Sequence, residues 1–305
     1  MKMKILIASP DIPYYNWQIL VQINNFKKFG YNDVIYVIGL LNGKSLSEQL
    51  KQVFEQTNTK YFAYPDERIN MIYPSTLRLH IIEKFFKDNP DSDSFFYVDP
   101  DLLFSKKIDF YDLLRDNIWY VSDTRSYLDS KYIRSKGEEL FQTMAKIVGL
   151  SPTLIMDNDE NAGGAQYLLK NVDWKFWNKA LYDSEKLYRY MKKTEGIFHP
   201  EHPIQSWTAD MWAVFWDALY FGHKVKISDK LDFSWATDVI DVYEKKNFFH
   251  NAGVFDQKHL FNKTQYQLTP FNSDFSHISK EFCSYKYVEE IEETKINYPT
   301  LIKLF

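Results

Sequence analysis

The stretch Phe95-Phe96-Tyr97-Val98-Asp99-Pro100-Asp101-Leu102-Leu103-Phe104 joins two apolar runs through a pair of carboxylates. The apolar run 95–98 is typical of a buried strand. Because Pro100 has no N–H group to donate, regular strand pairing should stop there. Side chains two residues apart in extended backbone point to the same side, so Asp99 and Asp101 are expected to converge on one point.

Two converging carboxylates at the end of a strand predict a site for a hard divalent cation. Open α/β sheets place their ligands at the carboxyl ends of the strands. Carboxylate oxygens are the ligands that Mg²⁺ and Mn²⁺ prefer. A D-x-D pattern is short, however, and it also occurs in turns and helix caps. A turn without a metal is therefore the alternative at this point.

The composition is that of an ordinary globular protein. Of 305 residues, 45% are hydrophobic and 26% are charged. A net charge of −4 and a pI near 6.0 give no indication of a generally basic nucleic-acid binder. The single cysteine, Cys283, excludes an internal disulfide and favours a reducing compartment.

Neither a membrane span nor a signal peptide is expected. No window holds about 18 uninterrupted apolar residues, the length that a spanning helix needs. The apolar run near the N-terminus stops at Pro10 and is too short for the apolar core of a signal peptide. These features predict a cytoplasmic protein without a membrane partner.

Strands and helices alternate along the first hundred residues. Apolar runs predict strands at 4–8, 34–38, 61–63 and 95–98. Helical spacing with turn signals predicts helices at 16–29, from Ser45 or Ser47 to about 55, and from Pro74 onward. This alternation predicts an α/β fold with a Rossmann-like, mostly parallel central sheet flanked by helices. The glycine-rich dinucleotide and P-loop fingerprints are absent from the sequence, so neither of those loops would hold a nucleotide.

We expect residues 1–255 to form the main domain and residues 256–305 to form a C-terminal appendage packed on it. Within the main domain, the segment 125–137 is predicted to be a long polar loop. It carries four cations: Arg125, Lys131, Arg134 and Lys136. Most such runs are solvated loops, and contact with phosphates is the functional alternative.

Three later features are candidates for chemistry. The adjacent Gly163 and Gly164 follow a polar turn, which suggests close approach of a ligand to the backbone, or else a bulge or tight turn. Asp210 lies among apolar residues near the start of a predicted helix, either as a cap partner or as an acid in a site. His250 precedes a glycine turn, and a lone histidine is more often structural.

The order of these features resembles the GT-A class of nucleotide-sugar glycosyltransferases. Those enzymes carry a D-x-D, a glycine-rich loop, an acidic residue and a C-terminal metal-binding histidine. The resemblance covers about residues 4–255 and is greatest to the plant hydroxyproline O-arabinosyltransferase and peptidyl serine galactosyltransferase group. The stretches that carry it are Tyr15-Asn16-Trp17-Gln18, Ala162-Gly163-Gly164-Ala165-Gln166-Tyr167-Leu168-Leu169-Lys170, Trp207-Thr208-Ala209-Asp210-Met211-Trp212-Ala213 and His250-Asn251-Ala252-Gly253.

The resemblance implies a GT-A-like fold and metal-dependent transfer of an arabinose- or galactose-like sugar from a UDP-sugar to an acceptor hydroxyl, with retention. It implies that Asp99, Asp101 and His250 hold Mn²⁺ or Mg²⁺. It places Asp210 beside the reacting sugar, as general base in an inverting enzyme or as orienting group in a retaining one. The residues that it implies for donor or substrate binding are Ser9, Pro10, Asp11, Trp17, Gln18, Gly163, Gly164, Gln166 and Trp207.

The expected acceptor differs from that of the plant enzymes, because the chain lacks their signal or membrane anchor. Cytoplasmic, virus-encoded members of such families can glycosylate hydroxymethylated bases in DNA. A virus or a bacterium is therefore the expected source, and such a DNA base is the expected acceptor. The contacts to DNA would come from Arg125, Lys131, Arg134 and Lys136, and a hydroxyl of a peptide or a glycan is the alternative acceptor.

Two other functional classes fit part of the sequence. Phosphatases of the haloacid-dehalogenase type also place a D-x-D after an apolar strand, but here Leu102 replaces the usual Thr or Val. The motif also follows the fourth predicted strand and not the first. A non-catalytic binder of sugar nucleotides is the other alternative, and the complete set of three acids and one histidine argues against it.

Overall fold

The computed structural model describes residues 3–90 and 93–305. Residues 1 and 2 of the predicted main domain lie outside the described residues. The strands are β1 (Met3–Pro10), β2 (Val34–Leu40), β3 (Lys60–Pro65), β4 (Ser94–Val98), β5 (Leu102–Phe104), β6 (Trp119–Asp123), β7 (Gly163–Leu169), β8 (Val225–Ile227), β9 (Phe233–Trp235) and β10 (Phe248–His250).

Helices follow most of these strands. They are α1 (Pro13–Lys28), α2 (Glu48–Thr57), α3 (Thr76–Asp88), α4 (Arg125–Leu128), α5 (Ser130–Lys136), α6 (Glu138–Val148), α7 (Pro152–Met156), α8 (Trp174–Thr194), α9 (Ala209–Tyr220), α10 (Ile240–Lys245), α11 (Ser284–Asn297) and α12 (Pro299–Ile302). No helix within the described ranges is both long enough and apolar enough to cross a membrane.

The strands form two sheets. Seven strands form a sheet of order β3-β2-β1-β4-β7-β6-β8, and three form a sheet of order β5-β10-β9. In the larger sheet, β1, β2 and β3 are parallel, whereas β7 runs antiparallel to β4 and β6. The predicted α/β class with a mostly parallel central sheet flanked by helices is confirmed.

The chain divides into two compact units, each built from segments that are distant in the sequence. The first unit comprises residues 4–65, 98–110 and 230–305, and the second comprises Met3 and residues 66–90, 93–97 and 111–229. Residues 256–305 thus belong to the same compact unit as the first strand.

The prediction of a long loop at 125–137 was wrong, because the segment forms α4 and α5. Leu128 of α4 and Ile133 of α5 are fully buried, so each short helix contributes one apolar side chain to the interior of the second unit. Asp129 caps α5 by accepting a hydrogen bond of 2.7 Å from the backbone N–H of Tyr132. Ser130 donates from its N–H and hydroxyl groups to Asp159, at 2.8 and 2.6 Å.

Gly163 and Gly164, which were expected to lie in a glycine-rich loop, are the first two residues of strand β7. The pairing of β6 with β7 shifts between Val121 and Ser122, so β7 carries a bulge there. Ala165, within this bulge, has a left-handed φ of 67°. The bulge that was the alternative interpretation of the two glycines is therefore present.

Candidate functional site

The pairing of three short strands in the first unit brings the D-x-D and His250 together. Strand β5 begins at Leu102, directly after Asp101, and runs antiparallel to β10. Their register places His250 opposite Leu102. The ladder continues one step further, since the N–H of Asn251 donates to the carbonyl of Asp101 at 3.2 Å. Backbone pairing therefore carries a residue from late in the chain to the two acids.

Asp99, Asp101 and His250 form a cluster that fits a divalent cation. One ligand atom from each residue lies within 4.8 Å of the other two. The Nε2 atom of His250 is 3.4 Å from Oδ1 of Asp101, and the imidazole stacks on Trp235 with the ring planes 14° apart. Its Nδ1 atom is buried and has no hydrogen-bond partner among the described residues. An imidazole and two carboxylates that converge in this way suit Mn²⁺ or Mg²⁺.

Lys263 adds a positive charge to this cluster. Its ammonium group contacts Oδ2 of Asp101. Burial alone would raise the pKa of Asp101, but the charge of Lys263 and the imidazole of His250 outweigh burial and hold that pKa far below its usual range. The carboxylate is therefore ionised and available to a cation.

Gln22, on α1, fixes the backbone of the D-x-D turn. Its side-chain N–H₂ group donates to the carbonyls of Asp99 and Leu102, at 2.7 and 2.9 Å. The hydroxyl of Tyr36 donates to its other side-chain atom, Oε1, at 2.9 Å. Gln22 and Tyr36 are fully buried, so these bonds are shielded from water and hold the turn in one shape.

The end of β1, which was predicted to bind the donor or substrate, has its own hydrogen-bond network. Asp11 accepts hydrogen bonds from the N–H and hydroxyl of Ser47, at 2.6 and 2.7 Å, and from the amide of Asn16, at 2.9 Å. Ser9 is fully buried, and its hydroxyl bonds to the carbonyl of Pro10. The structure thus joins the end of β1 to the starts of α1 and α2.

Trp17 and Gln18 are buried in α1. The indole N–H of Trp17 donates to the carbonyl of Tyr266 at 2.9 Å, so this side chain anchors the segment that follows Lys263. Gln18 donates to the carbonyl of Tyr14 at 2.6 Å. The Oε1 atom of Gln18 is buried without a hydrogen-bond partner among the residues that the structure describes.

In the second unit, Asp210 is held at both oxygens in the first turn of α9. The hydroxyl of Tyr73 lies 2.6 Å from Oδ1, and the guanidinium of Arg78 lies 2.5 Å from Oδ2. The Tyr73 hydroxyl also lies 2.7 Å from the carbonyl of Trp207. Burial, followed by the charge of Asp210, raises the pKa of Tyr73 well above its usual value, so the hydroxyl keeps its proton as a donor.

Gly163, Gly164 and Gln166 lie close to β6 or α9 within the second unit. A Cβ atom on Gly163 would lie 2.4 Å from the carbonyl oxygen of Ser122, and one on Gly164 would lie 2.9 Å from the Met211 side chain. The hydroxyl of Ser122 donates to Oε1 of Gln166, whose Nε2 is buried without a partner in the described part of the chain. Close packing against the backbone of β6 requires a glycine at Gly163.

The cations of 125–137 lie at the surface of the second unit. Arg125 pairs with Asp123 and Glu160, at 2.7 and 3.0 Å, and Arg134 pairs with Glu138 at 2.7 Å. The ammonium of Lys136 lies over the ring of Tyr132, and Lys131 is exposed. Arg125 and Lys131 line a shallow, open pocket of about 420 Å³ together with Asp129, Asp159 and Glu160.

Sequence reasoning missed four residues that shape these sites: Gln22, Lys263, Tyr73 and Arg78. None lies in a recognisable motif, and each contacts its partner over a separation of 77 to 162 residues. In the sequence, these residues are marked only as polar side chains in helical or apolar surroundings. That pattern is too common to identify four particular residues.

Comparisons with known proteins found similar structures only. No family model and no curated protein matches the chain. One similar structure is the WbbM bifunctional glycosyltransferase, with 11% identity and a TM-score of 0.49 over 99% of this chain. Another is the galactosyltransferase LgtC in complex with donor and acceptor sugar analogues, with 12% identity and a TM-score of 0.47 over 95% of each chain.

A third similar structure is a glycosyltransferase involved in the glycosylation of the major capsid of PBCV-1. It shares 8% identity at a TM-score of 0.40, over 96% of this chain and 99% of that one. The chain spans about half the length of WbbM, of which 51% is covered.

Proposed function

We propose that the chain is a metal-dependent glycosyltransferase of the GT-A type, which moves a sugar from a UDP-sugar to an acceptor hydroxyl. The observation that supports this proposal is the cluster of Asp99, Asp101 and His250 at the end of β4, in which one ligand atom of each residue lies within 4.8 Å of the other two. A Mn²⁺ or Mg²⁺ ion held by these residues would supply positive charge that stabilises the departing nucleoside diphosphate.

Lys263 takes a second role at this site. Its ammonium group contacts Asp101, so it stands beside the atoms that would hold the metal. From there it can donate a charge-assisted hydrogen bond to a phosphate oxygen of the donor. In the transition state of sugar transfer, negative charge develops on the diphosphate. A fixed cation in this position stabilises that charge and so lowers the barrier to transfer.

Asp210 serves as an orienting group for a sugar. Tyr73 and Arg78 hold its two oxygens, so the carboxylate is fixed in direction beside a guanidinium. A fixed carboxylate suits the binding of a sugar hydroxyl and the stabilisation of positive charge on a sugar ring. It suits a general base less well, because a base must give up these contacts to take a proton. This favours transfer with retention.

The donor sugar that we propose is arabinose- or galactose-like, and the acceptor that we propose is a hydroxymethylated base in DNA. Phosphate contacts would come from Lys131 and from Arg125 and Arg134 after exchange of their present carboxylate partners. A DNA acceptor predicts transfer that weakens steeply with salt, because bound cations are released from the phosphates. A peptide or glycan acceptor predicts little dependence on salt, so one salt titration of turnover separates the two classes.

The experiment that tests the donor site is thermal unfolding with UDP, UDP-galactose or UDP-arabinose, each with and without Mn²⁺. A ligand present at about 100 times its dissociation constant adds about 2.7 kcal/mol to the native state. We expect stabilisation that needs nucleotide and metal together. Asp101→Asn should abolish it, and Asp241→Asn, at an exposed acid of the same unit, should keep it.

Absence of a shift with every nucleotide and metal pair would contradict the proposal. Hydrolysis of a simple phosphate monoester that depends on Asp99 and Mg²⁺ would then identify a phosphatase. A shift with no transfer to any acceptor and no donor hydrolysis would identify a non-catalytic binder.

A further inference from the structure

Five large apolar side chains project into water from two neighbouring segments of the second unit. Ile69 is fully exposed at 104%, Met71 and Ile72 are more than half exposed, and so are Ile197 and Trp207. We call these five residues the apolar patch. The hydroxyl of Tyr73, which directly follows Ile72, lies 2.7 Å from the carbonyl of Trp207, so the two segments touch. Exposed apolar groups of this size mark interaction surfaces.

The exposure of the loop 69–72 is imposed by the bonds at its base. Arg68 donates two hydrogen bonds of 2.8 Å to the two oxygens of Asp66 and a third of 2.8 Å to the hydroxyl of Thr76. The side chains of Arg68 and Asp66 are 6% and 2% exposed. A buried, bidentate ion pair of this kind fixes the backbone, so the aliphatic side chains are held outward.

A cationic helix borders the apolar patch. The ring of Tyr188, on α8, stacks on Tyr73 with centroids 4.3 Å apart, and Glu185 accepts a hydrogen bond from Asn70. The exposed cations in the last turns of α8 are Lys186, Arg189, Lys192 and Lys193.

Part of this positive charge is not compensated. Lys186 pairs with Asp183 and Lys192 pairs with Glu195. Arg189 and Lys193, by contrast, have no ion-pair partner within residues 3–90 and 93–305. The border of the apolar patch therefore presents cations to a partner.

We infer that the apolar patch and the cations of α8 dock the protein onto an anionic lipid surface. Aliphatic side chains on a protruding loop can enter the boundary between headgroups and acyl chains, and a tryptophan favours that boundary. Flanking Arg and Lys side chains are attracted to anionic headgroups. A flat protein partner would bury little of a loop whose tip is fully exposed, so a lipid layer is the better fit. This inference does not depend on the proposed sugar transfer, and it departs from the expectation, drawn from the sequence, of no membrane partner.

The test is sedimentation of the full chain with vesicles of phosphatidylcholine, with or without phosphatidylglycerol. We expect binding to the anionic vesicles. The variant Ile69→Ser/Met71→Ser/Ile72→Ser and the variant Arg189→Glu/Lys193→Glu should each lower the partition coefficient about tenfold or more. The control Leu268→Ser/Ile296→Ser removes equally exposed apolar groups from the first unit and should bind like the wild type.

A readout within the wild-type fold checks the same surface. Brominated lipids should quench tryptophan fluorescence on binding, and Trp207→Phe should remove most of that quenching while vesicle binding persists. Failure of the wild type to sediment with anionic vesicles would overturn the inference. Wild-type binding by the serine variant, with an unchanged melting temperature, would overturn it as well. So would loss of binding in the control.

Discussion

The ammonium group of Lys263 contacts Oδ2 of Asp101, although 162 residues separate the two in the chain. This contact joins the C-terminal segment to the turn that carries the D-x-D. Because Asp101 is buried, the pair is shielded from solvent and its charges act at close range. Lys263, Asp101 and His250 therefore form one cluster of interacting ionisable side chains.

Lys263→Met should weaken binding of UDP in the presence of Mn²⁺. A hydrogen bond between charged groups contributes about 1.5–3 kcal/mol, so we expect the dissociation constant to rise about tenfold or more. Isothermal titration calorimetry measures this change. Lys258→Met, at an exposed lysine of the same segment, is the matched control and should bind UDP like the wild type. Equal affinities for all three proteins would contradict the role of Lys263.

Gln22→Leu should destabilise the fold and the D-x-D turn together. The substitution leaves the buried carbonyls of Asp99 and Leu102 without their donor, at a cost of about 2–4 kcal/mol in the free energy of unfolding. Urea unfolding measures this cost. Tyr36→Phe removes only one bond to the same side chain and should cost about 1 kcal/mol. A Gln22→Leu variant no less stable than Tyr36→Phe would show that the turn does not need this support.

Arg78→Met should destabilise the protein more than Arg78→Met/Asp210→Asn. The single change leaves the charge of Asp210 buried without its cation, which costs about 3 kcal/mol, whereas the double change removes the charge as well. A double-mutant cycle by chemical denaturation gives the coupling. Both variants should lose turnover if Asp210 orients the sugar. Strictly additive free energies would refute the ion pair as the cause.

Stability should fall as the pH rises toward 8, through Asp217 in α9. Burial raises the pKa of Asp217 to about 8, against the opposing charge of Lys179, 3.0 Å away, and with support from Asp183. The folded state therefore holds a proton that the unfolded state releases near pH 4. Between these values the free energy of unfolding declines with pH, by at most about 1.4 kcal/mol per pH unit.

Asp217→Asn should flatten this decline, because the amide does not titrate. Urea unfolding at several pH values between about 5 and 8 compares the two proteins. Asp241→Asn, at an exposed acid, is the control and should keep the wild-type slope. The same slope in Asp217→Asn and wild type would contradict the raised pKa.

The secondary structure was largely predictable, and its errors have identifiable causes. The apolar run 95–98 and the helical spacing of 16–29 correspond to β4 and α1, since periodic burial leaves a local pattern. The segment 125–137 was predicted to be a loop because its composition is polar and Leu128 and Ile133 are its only aliphatic residues. Both of these side chains are fully buried in the structure. Their burial against the second unit, with the cap from Asp129, outweighs the polar composition.

The sequence by itself determined the α/β class and the pair Asp99 and Asp101, because each depends on residues that are neighbours in the chain. Only the tertiary structure brought His250 and Lys263 to that pair and placed Arg78 on Asp210. These contacts arise from strand register and helix packing across more than a hundred residues. The spacing of side chains along the sequence does not predict such long-range contacts, because they form only when distant strands and helices pack together.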